Sequence, residues 1–362
     1  MDQKRKKRLL WQLPFLAVLI IGTILIIRQQ HATPYRTNKG AIFGTFYSVT
    51  YQWNDDLQAD IEAELLQVDS ALSMFNPQSV ISHFNREGTI SHTAVNRQSI
   101  DMFFDVYRMA MKVSEDTGGA FDITVAPLVN AWGFGFKSLA QKGDSADIQP
   151  GMPTRHQVDS IRQFVGWQKV SLKGTTVKKS DPRIMLDCSA IAKGYGVDVV
   201  ARLLKSKGVT NFVVEIGGEV VTSGISPRRV PWTVGVVKPT DDSLLVGNEY
   251  QTVLNVTDKA MATSGNYRNF YYKNGKKYAH TIDPKTGYPV QHNILSATVL
   301  ADDCATADAY ATSFMVLGLD GTRRILDRHP ELMAYLIYSD EKGNLAVWYS
   351  PTMKDKIVEE GQ

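Results

Sequence analysis

Between the basic cluster Lys4, Arg5, Lys6, Lys7 and Arg8 and the next basic residue, Arg28, run 19 largely apolar residues, Leu9 to Ile27. As a helix rising about 1.5 Å per residue, that run covers close to the ~30 Å of a bilayer's hydrocarbon core. It divides the chain into a membrane segment and whatever follows. The basic cluster should stay in the cytoplasm, which puts the remainder on the extracytoplasmic, or periplasmic, side of the cytoplasmic (inner) membrane. A cleaved signal peptide also begins basic and turns apolar. The run is longer than the usual signal core, however, and Gln29, Gln30 and His31 follow it without a small-x-small cleavage site. An uncleaved single-pass anchor over residues 1–28 is therefore the expectation, with 29–40 as a tether.

The net charge of +3 belongs to this start rather than to the domain behind it. Residues 1–40 hold eight Lys or Arg and one Asp, which leaves 32 basic against 36 acidic residues, a charge near −4. Nucleic-acid binding gains no support from that balance. With 362 residues, 43% of them apolar, the chain can bury a large core. Cys188 and Cys304 are its only cysteines. Two buried thiols are expected, although an extracytoplasmic setting leaves one bridge open. No cysteine-based zinc site follows from their spacing.

Alternation from Phe46 to Trp53 reads as a strand. Ile61, Leu65, Val68 and Leu72 then recur at helical spacing, predicting a helix over about 56–74. A second helical period runs from Ile100 to Val113 and stops at Gly118-Gly119. The Gly-, Ser-, Lys- and Asp-rich stretch 134–153 reads as a surface excursion, after which Thr154 caps a short helix through Phe164. Further elements are a helix from Ala190 to Lys207, strands at 212–216 and 230–237, a hairpin turning at Asn274-Gly275, and a closing hairpin from 333 to 349. No repeat or composition break splits residues 41–362. They read as one α+β, mixed α/β unit with room for two lobes.

Four segments carry chemistry that a packed core does not require. Gly118-Gly119-Ala120-Phe121-Asp122 offers close backbone approach beside an aromatic and a carboxylate, though a helix end alone accounts for the glycines. In LDCSAIAKGYG, 186–196, Asp187 ends a strand, Ser189 is placed to cap the next helix, and Lys193 lies early in that helix, where cations are disfavoured. A docked phosphate would explain the lysine, and simple solvation would serve equally. In YAHTIDPKTGYPV, 278–290, the Asp-Pro-Lys-Thr-Gly string is turn chemistry. His280 lies outside those needs and suits either a hydroxyl or phosphate contact or a structural hydrogen bond. In the fourth, Asp308 and Thr312 stand four residues apart, on one face of a helix. A carboxylate with a hydroxyl suits Mg²⁺ and not Zn²⁺. An Asp in a helix's first turn with an exposed Thr is the plainer reading.

Together these segments resemble the ApbE family of FAD:protein FMN transferases. GTFYSVTY, LSMFNPQSVISHFN, TGGAFDITVAPLV, LDCSAIAKGYGVD, IGGEV, SGNYRNF, HTIDPKTGYPV and ADAYATSFMVLG occur in the family's order and approximate spacing, from residue 41 to about 350. The resemblance implies an ApbE-like, T-fold-related catalytic domain behind the transmembrane anchor. It also implies Mg²⁺-dependent transfer of FMN from FAD to a threonine or serine of an acceptor subunit of a membrane redox complex, with release of AMP. The family's metal ligands fall on Asp308, Thr312 and the main-chain carbonyl of Ala190. Its FAD contacts fall on Phe43, Phe75, Ala120, Phe121, Asp122, Asp187, Lys193 and Ile282. Phe43 replaces the Met of the family's Met-Gly-Thr, and Phe75 replaces a Tyr and so loses its hydroxyl donor.

Asp308 and His280 are the expected catalytic residues, His280 as the group that orients or deprotonates the acceptor hydroxyl. Two other functions fit the same pocket. One is a Mg²⁺-dependent FAD pyrophosphatase, and the other an FAD-binding protein without turnover.

Overall fold

In the computed structural model, the residues described are 3–92, 97–135, 152–239, 250–266, 270–273 and 276–360. The expected surface excursion therefore falls mostly outside them, as does the Asn274-Gly275 turn.

Helix α1, Gln3–Ala32, leads into the hairpin β1, Tyr35–Ile42, and β2, Thr45–Gln52. Helices α2, Gln58–Leu72, and α3, Val80–Glu87, the short strand β3, Thr89–Ser91, and α4, Arg97–Asp116, follow. Next come α5, Ala126–Ala131, α6, Arg155–Arg162, the strands β4, Val170–Lys173, and β5, Thr176–Lys179, and α7, Ser189–Ser206. Five strands succeed it: β6, Phe212–Ile216, β7, Glu219–Ser223, β8, Thr233–Val237, β9, Tyr250–Asn255, and β10, Ala260–Gly265. The chain closes with β11, Phe270–Lys273, β12, Lys276–Ala279, β13, Ile294–Ala301, α8, Cys304–Leu326, β14, Met333–Ser339, β15, Leu345–Tyr349, and β16, Ile357–Glu360.

Eight strands form one antiparallel sheet in the order β1-β2-β6-β7-β10-β13-β14-β15. Because successive side chains on a strand face opposite ways, each central strand feeds two cores. Ala262, Val299, Ala334 and Leu336 pack with α4, α7 and α8, whereas Met261, Leu300, Tyr335 and Ile337 pack with the three-stranded sheet β16-β9-β8. The outcome is an α+β fold with helices on one face of a long sheet and a small sheet on the other.

The periodic helices lie where their spacing puts them. Ile61, Leu65, Val68 and Leu72 are all buried on α2, and Ile100, Phe103, Phe104, Tyr107, Ala110 and Val113 on α4. Thr154 forms a full capping box with Gln157 at the start of α6. One cap differs from expectation. Ser189 is the first residue of α7 and does not cap it; the carboxylate two residues earlier, on Asp187, accepts the Ser189 N–H at 2.8 Å instead. The two cysteines are separate, buried free thiols.

Along α1, the described side chains at 12–28 are almost all exposed, Phe15 and Val18 among them, and Pro14 lies inside the helix. Among the described residues no helix is long and apolar enough to cross a membrane. The transmembrane anchor expected over Leu9 to Ile27 thus has no support from the described part of the fold.

Candidate active site

A cavity of about 1040 Å³ opens where the loop after α4, the starts of α7 and α8, strand β10 and the segment after β12 converge, with β8 along its rim. Ala120, Phe121, Asp122, Asp187, Ala190, Lys193, His280, Ile282, Asp308 and Thr312 all line it. Residues nearly 200 positions apart in the chain thus share one space.

Gly118 and Gly119 adopt φ of 60° and 86°, left-handed values that cost glycine little, and so end α4 sharply. The reversal carries Ala120 and Phe121 to the cavity wall. Asp122 is buried, and both its oxygens are engaged within the protein: one accepts the Thr124 N–H at 2.8 Å and hydroxyl at 2.7 Å, the other the Trp167 N–H at 2.9 Å. Burial raises its pKa, and those bonds oppose the rise. Asp122 therefore braces the wall. Asp187 does similar work, its own N–H donating to the Ile123 carbonyl at 2.7 Å while its side chain opens α7.

Lys193 points from α7 to the carboxylate of Glu219, the first residue of β7, and forms an ion pair with it. Burial opposes the lysine's charge, but Asp308 and Glu219 more than reverse that, holding its pKa above the ordinary lysine value. Glu219 is pushed up by burial despite Lys193, and Asp308 is likewise raised by burial. Two buried carboxylates thus flank one ammonium group. Lys193's position early in the helix is accounted for by these carboxylates, and it still reaches the cavity.

Asp308 and Thr312 lie on consecutive turns of α8, as their spacing predicted. Asp308 Oδ2 accepts the Gly194 N–H at 3.1 Å, and Thr312 Oγ1 is 3.0 Å from Ser264 Oγ on β10. Among the described residues, no three His, Cys, Asp or Glu side chains are grouped to hold a metal. A cation here must therefore use hydroxyl and carbonyl oxygens as well, which a hard ion accepts. The surplus carboxylate fits such an ion. So does Glu219 Oε2, which is buried without a hydrogen-bond partner among the described residues.

His280 follows β12, its ring steeply inclined, at 70°, to that of Phe134 with 6.5 Å between centroids. The turn beyond it is built as expected, Asp283 Oδ1 accepting the Lys285 N–H at 2.9 Å and the Asp283 carbonyl accepting the Gly287 N–H at 2.8 Å.

Phe43 and Phe75 do not reach the cavity wall. Phe43 sits in the β1–β2 turn at φ 52°, its ring against Gly196, where a Cβ would lie 2.8 Å from Phe43 Cε2. That contact commits the ring to the packing between sheet and α7. Phe75 follows α2 and is 67% exposed. Glu219 and Ser264, in turn, line the cavity without having been singled out. A charged residue between Gly217-Gly218 and Val220-Val221 was the available signal for Glu219.

The family model described as the ApbE family matches residues 43–337. An FAD:protein FMN transferase of Vibrio cholerae is 34% identical over 83% of this chain and 87% of its own length. That of Escherichia coli strain K12 is 31% identical over 91% of each chain. The solved flavin transferase ApbE from Vibrio cholerae superposes with a TM-score of 0.76 at 32% identity, covering 90% of this chain and 99% of its own.

Proposed function

The chain belongs to the ApbE family of flavin transferases, and on that premise we propose that it moves FMN from FAD to a threonine or serine hydroxyl of an acceptor protein, releasing AMP, with Mg²⁺ required. The observation that carries this reading is the meeting of Asp308 and Thr312 with Lys193, Ala190 and His280 in one cavity. Asp308, Thr312 and the Ala190 carbonyl would hold the Mg²⁺. A divalent ion so held offsets negative charge developing on a diphosphate by several kcal/mol, roughly.

The chain's own groups have distinct tasks. Lys193, kept charged by its two carboxylate neighbours, presents an ammonium group to an anionic substrate. Ala120 and Phe121 give an apolar wall for a planar ring, held in place by Asp122. His280 orients the acceptor hydroxyl and takes its proton as the oxygen bonds to the FMN-side phosphorus, while the bond from that phosphorus to the bridging oxygen breaks and AMP leaves. The acceptor we propose is a flavin-carrying subunit of a membrane redox complex. The exposed apolar side chains of α1, Phe15, Leu16 and Leu19 among them, support attachment to a membrane, with the domain on its outer side.

Mass spectrometry of candidate acceptor subunits incubated with the protein, FAD and Mg²⁺ tests the reading. An FMN adduct on Thr or Ser is expected, and it should vanish with Asp308→Ala. AMP formed at the same rate with no acceptor present would make the enzyme a pyrophosphatase. FAD bound with no AMP under any condition would make it a carrier.

A further inference from the structure

Helices α7 and α8 meet with almost no space between their backbones. At Gly194 a Cβ would lie 2.3 Å from the Cys304 carbonyl oxygen and 2.9 Å from Ala305 Cα. One turn further along α7, the carboxylate of Asp198 reaches across the same seam. Its Oδ1 accepts the Cys304 N–H at 2.8 Å and its Oδ2 the Ala305 N–H at 2.9 Å. Asp198 is 7% exposed.

The first N–H groups of a helix have no partner within it, and a carboxylate is their strongest acceptor. α8 already has its own cap, because Asp303 Oδ1 accepts the Thr306 N–H at 2.8 Å. Asp198 is thus a second carboxylate at the same helix end, supplied by another helix. A buried carboxylate costs several kcal/mol of desolvation, roughly, which its two charge-assisted bonds to amides that Asp303 leaves unpartnered help to offset; supplied from α7, it also has a geometric effect. What it does is fix the axial position of α8 on α7. α7 carries Ala190 and Lys193, and α8 carries Asp308 and Thr312. A small slide between them would separate the Asp308 carboxylate from the Ala190 carbonyl.

We propose that Asp198 is a positioning residue of the active site, pinning the first turn of α8 so that Asp308, Thr312 and Ala190 can share one cation. This rests on the reading of those three as the metal-holding set. The carboxylate touches neither metal nor substrate; it acts through the two amides.

The test titrates Mg²⁺ calorimetrically into the full-length protein, with and without FAD. Asp198→Asn leaves one acceptor and turns an NH₂ toward the other amide. It should weaken Mg²⁺ binding about 10-fold or more, as loss of a ligand-orienting group does. FAD affinity without Mg²⁺ should change less than about twofold. A folded Asp198→Asn protein with Mg²⁺ affinity within twofold of wild type overturns the proposal, whatever its Tm. Should that variant not fold, hydrogen exchange in the wild type decides. The Cys304 and Ala305 amides must exchange more slowly once Mg²⁺ is bound, since coupling between contact and ion is reciprocal. Unchanged exchange overturns it. Asp308→Ala separates the two ideas: unaltered Mg²⁺ binding there removes the metal site itself, whereas lost binding there with intact binding in Asp198→Asn removes only the pin.

Discussion

The backbone N–H of Gly194 donates to Asp308 Oδ2 across 3.1 Å, joining α7 to α8 at the cavity floor. Only glycine allows this approach, since a methyl at 194 would meet backbone atoms rather than a flexible side chain. Gly194→Ala should destabilise the protein by about 1–3 kcal/mol, the usual cost of overpacking. Urea unfolding measures that loss. Mg²⁺ affinity should fall as well, because the helices must part at the residue that orients Asp308.

Asp308 itself should lower stability when no cation is bound. Burial raises its pKa, so the folded state holds a proton more tightly than the unfolded chain. For an acid raised in this way, the native state is favoured at low pH and loses stability as pH climbs above the ordinary carboxyl value. Asp308→Asn keeps an oxygen for the Gly194 N–H and removes the charge. In the metal-free protein at pH 8 it should gain about 1 kcal/mol in denaturant unfolding. That gain should shrink toward pH 4 and reverse against wild type with Mg²⁺ added. A variant less stable than wild type at pH 8 without metal would contradict this account.

Lys193 and Glu219 form a pair in which each partner makes the other tolerable. Removing Lys193 alone leaves Glu219 buried beside Asp308 with no cation, a change of the kind that costs about 3–5 kcal/mol when burial is complete. Lys193 is 31% exposed on its side chain, so a smaller loss, about 2 kcal/mol, is expected for Lys193→Met. Adding Glu219→Gln should restore most of that stability. FAD affinity should stay weak in the double variant, and its recovery would show that Lys193 serves only the ion pair.

Much of this architecture could be read from residue spacing, because amphipathic periods report a local geometry. The buried stripes of α2 and α4, the hairpin β14–β15, and Asp308 and Thr312 on one helix face all follow from periods of two or 3.6. Contacts between distant elements carry no such period. Asp198 and Cys304 lie 106 residues apart, and nothing local to either distinguishes a pinning carboxylate from a solvated one. Glu219 offered a local hint, a charge set between glycines and valines, but its ion pair depends on Lys193 arriving from α7. Phe43 and Phe75 illustrate the converse. An aromatic residue signals a surface to pack on, but the left-handed turn at Phe43 decides that the surface is Gly196 of α7.

Behind the cavity, Asp116 at the end of α4 is held by groups from α8 and the segment after it. Tyr310 Oη donates to Asp116 Oδ2 at 2.9 Å, and Arg328 and His329 lie 3.2 and 3.0 Å from Oδ1. Burial by itself would raise the pKa of Asp116, but hydrogen bonds from His329, Tyr310 and Arg328 bring it below the ordinary value. Burial would lower that of His329, but its bonds to Asp116 and Glu331 hold it above 6.5. The signs then differ on the two sides. A depressed carboxyl contributes stability above its unfolded pKa of 3.8 and loses it as pH falls through the lower folded value. A raised imidazole contributes below 6.5 and loses it as pH rises through the higher folded value. Their joint contribution should therefore be fullest between about pH 4 and 6.5 and decline on both flanks. His329→Gln should flatten the alkaline flank of a Tm profile while leaving most of the acid flank, where Tyr310 and Arg328 still favour the charged Asp116. Because Asp116 lies two residues before Gly118, the same variant should lower FAD affinity more at pH 6 than at pH 8.5. Equal FAD affinity in variant and wild type at both pH values would confine this cluster to a role in stability.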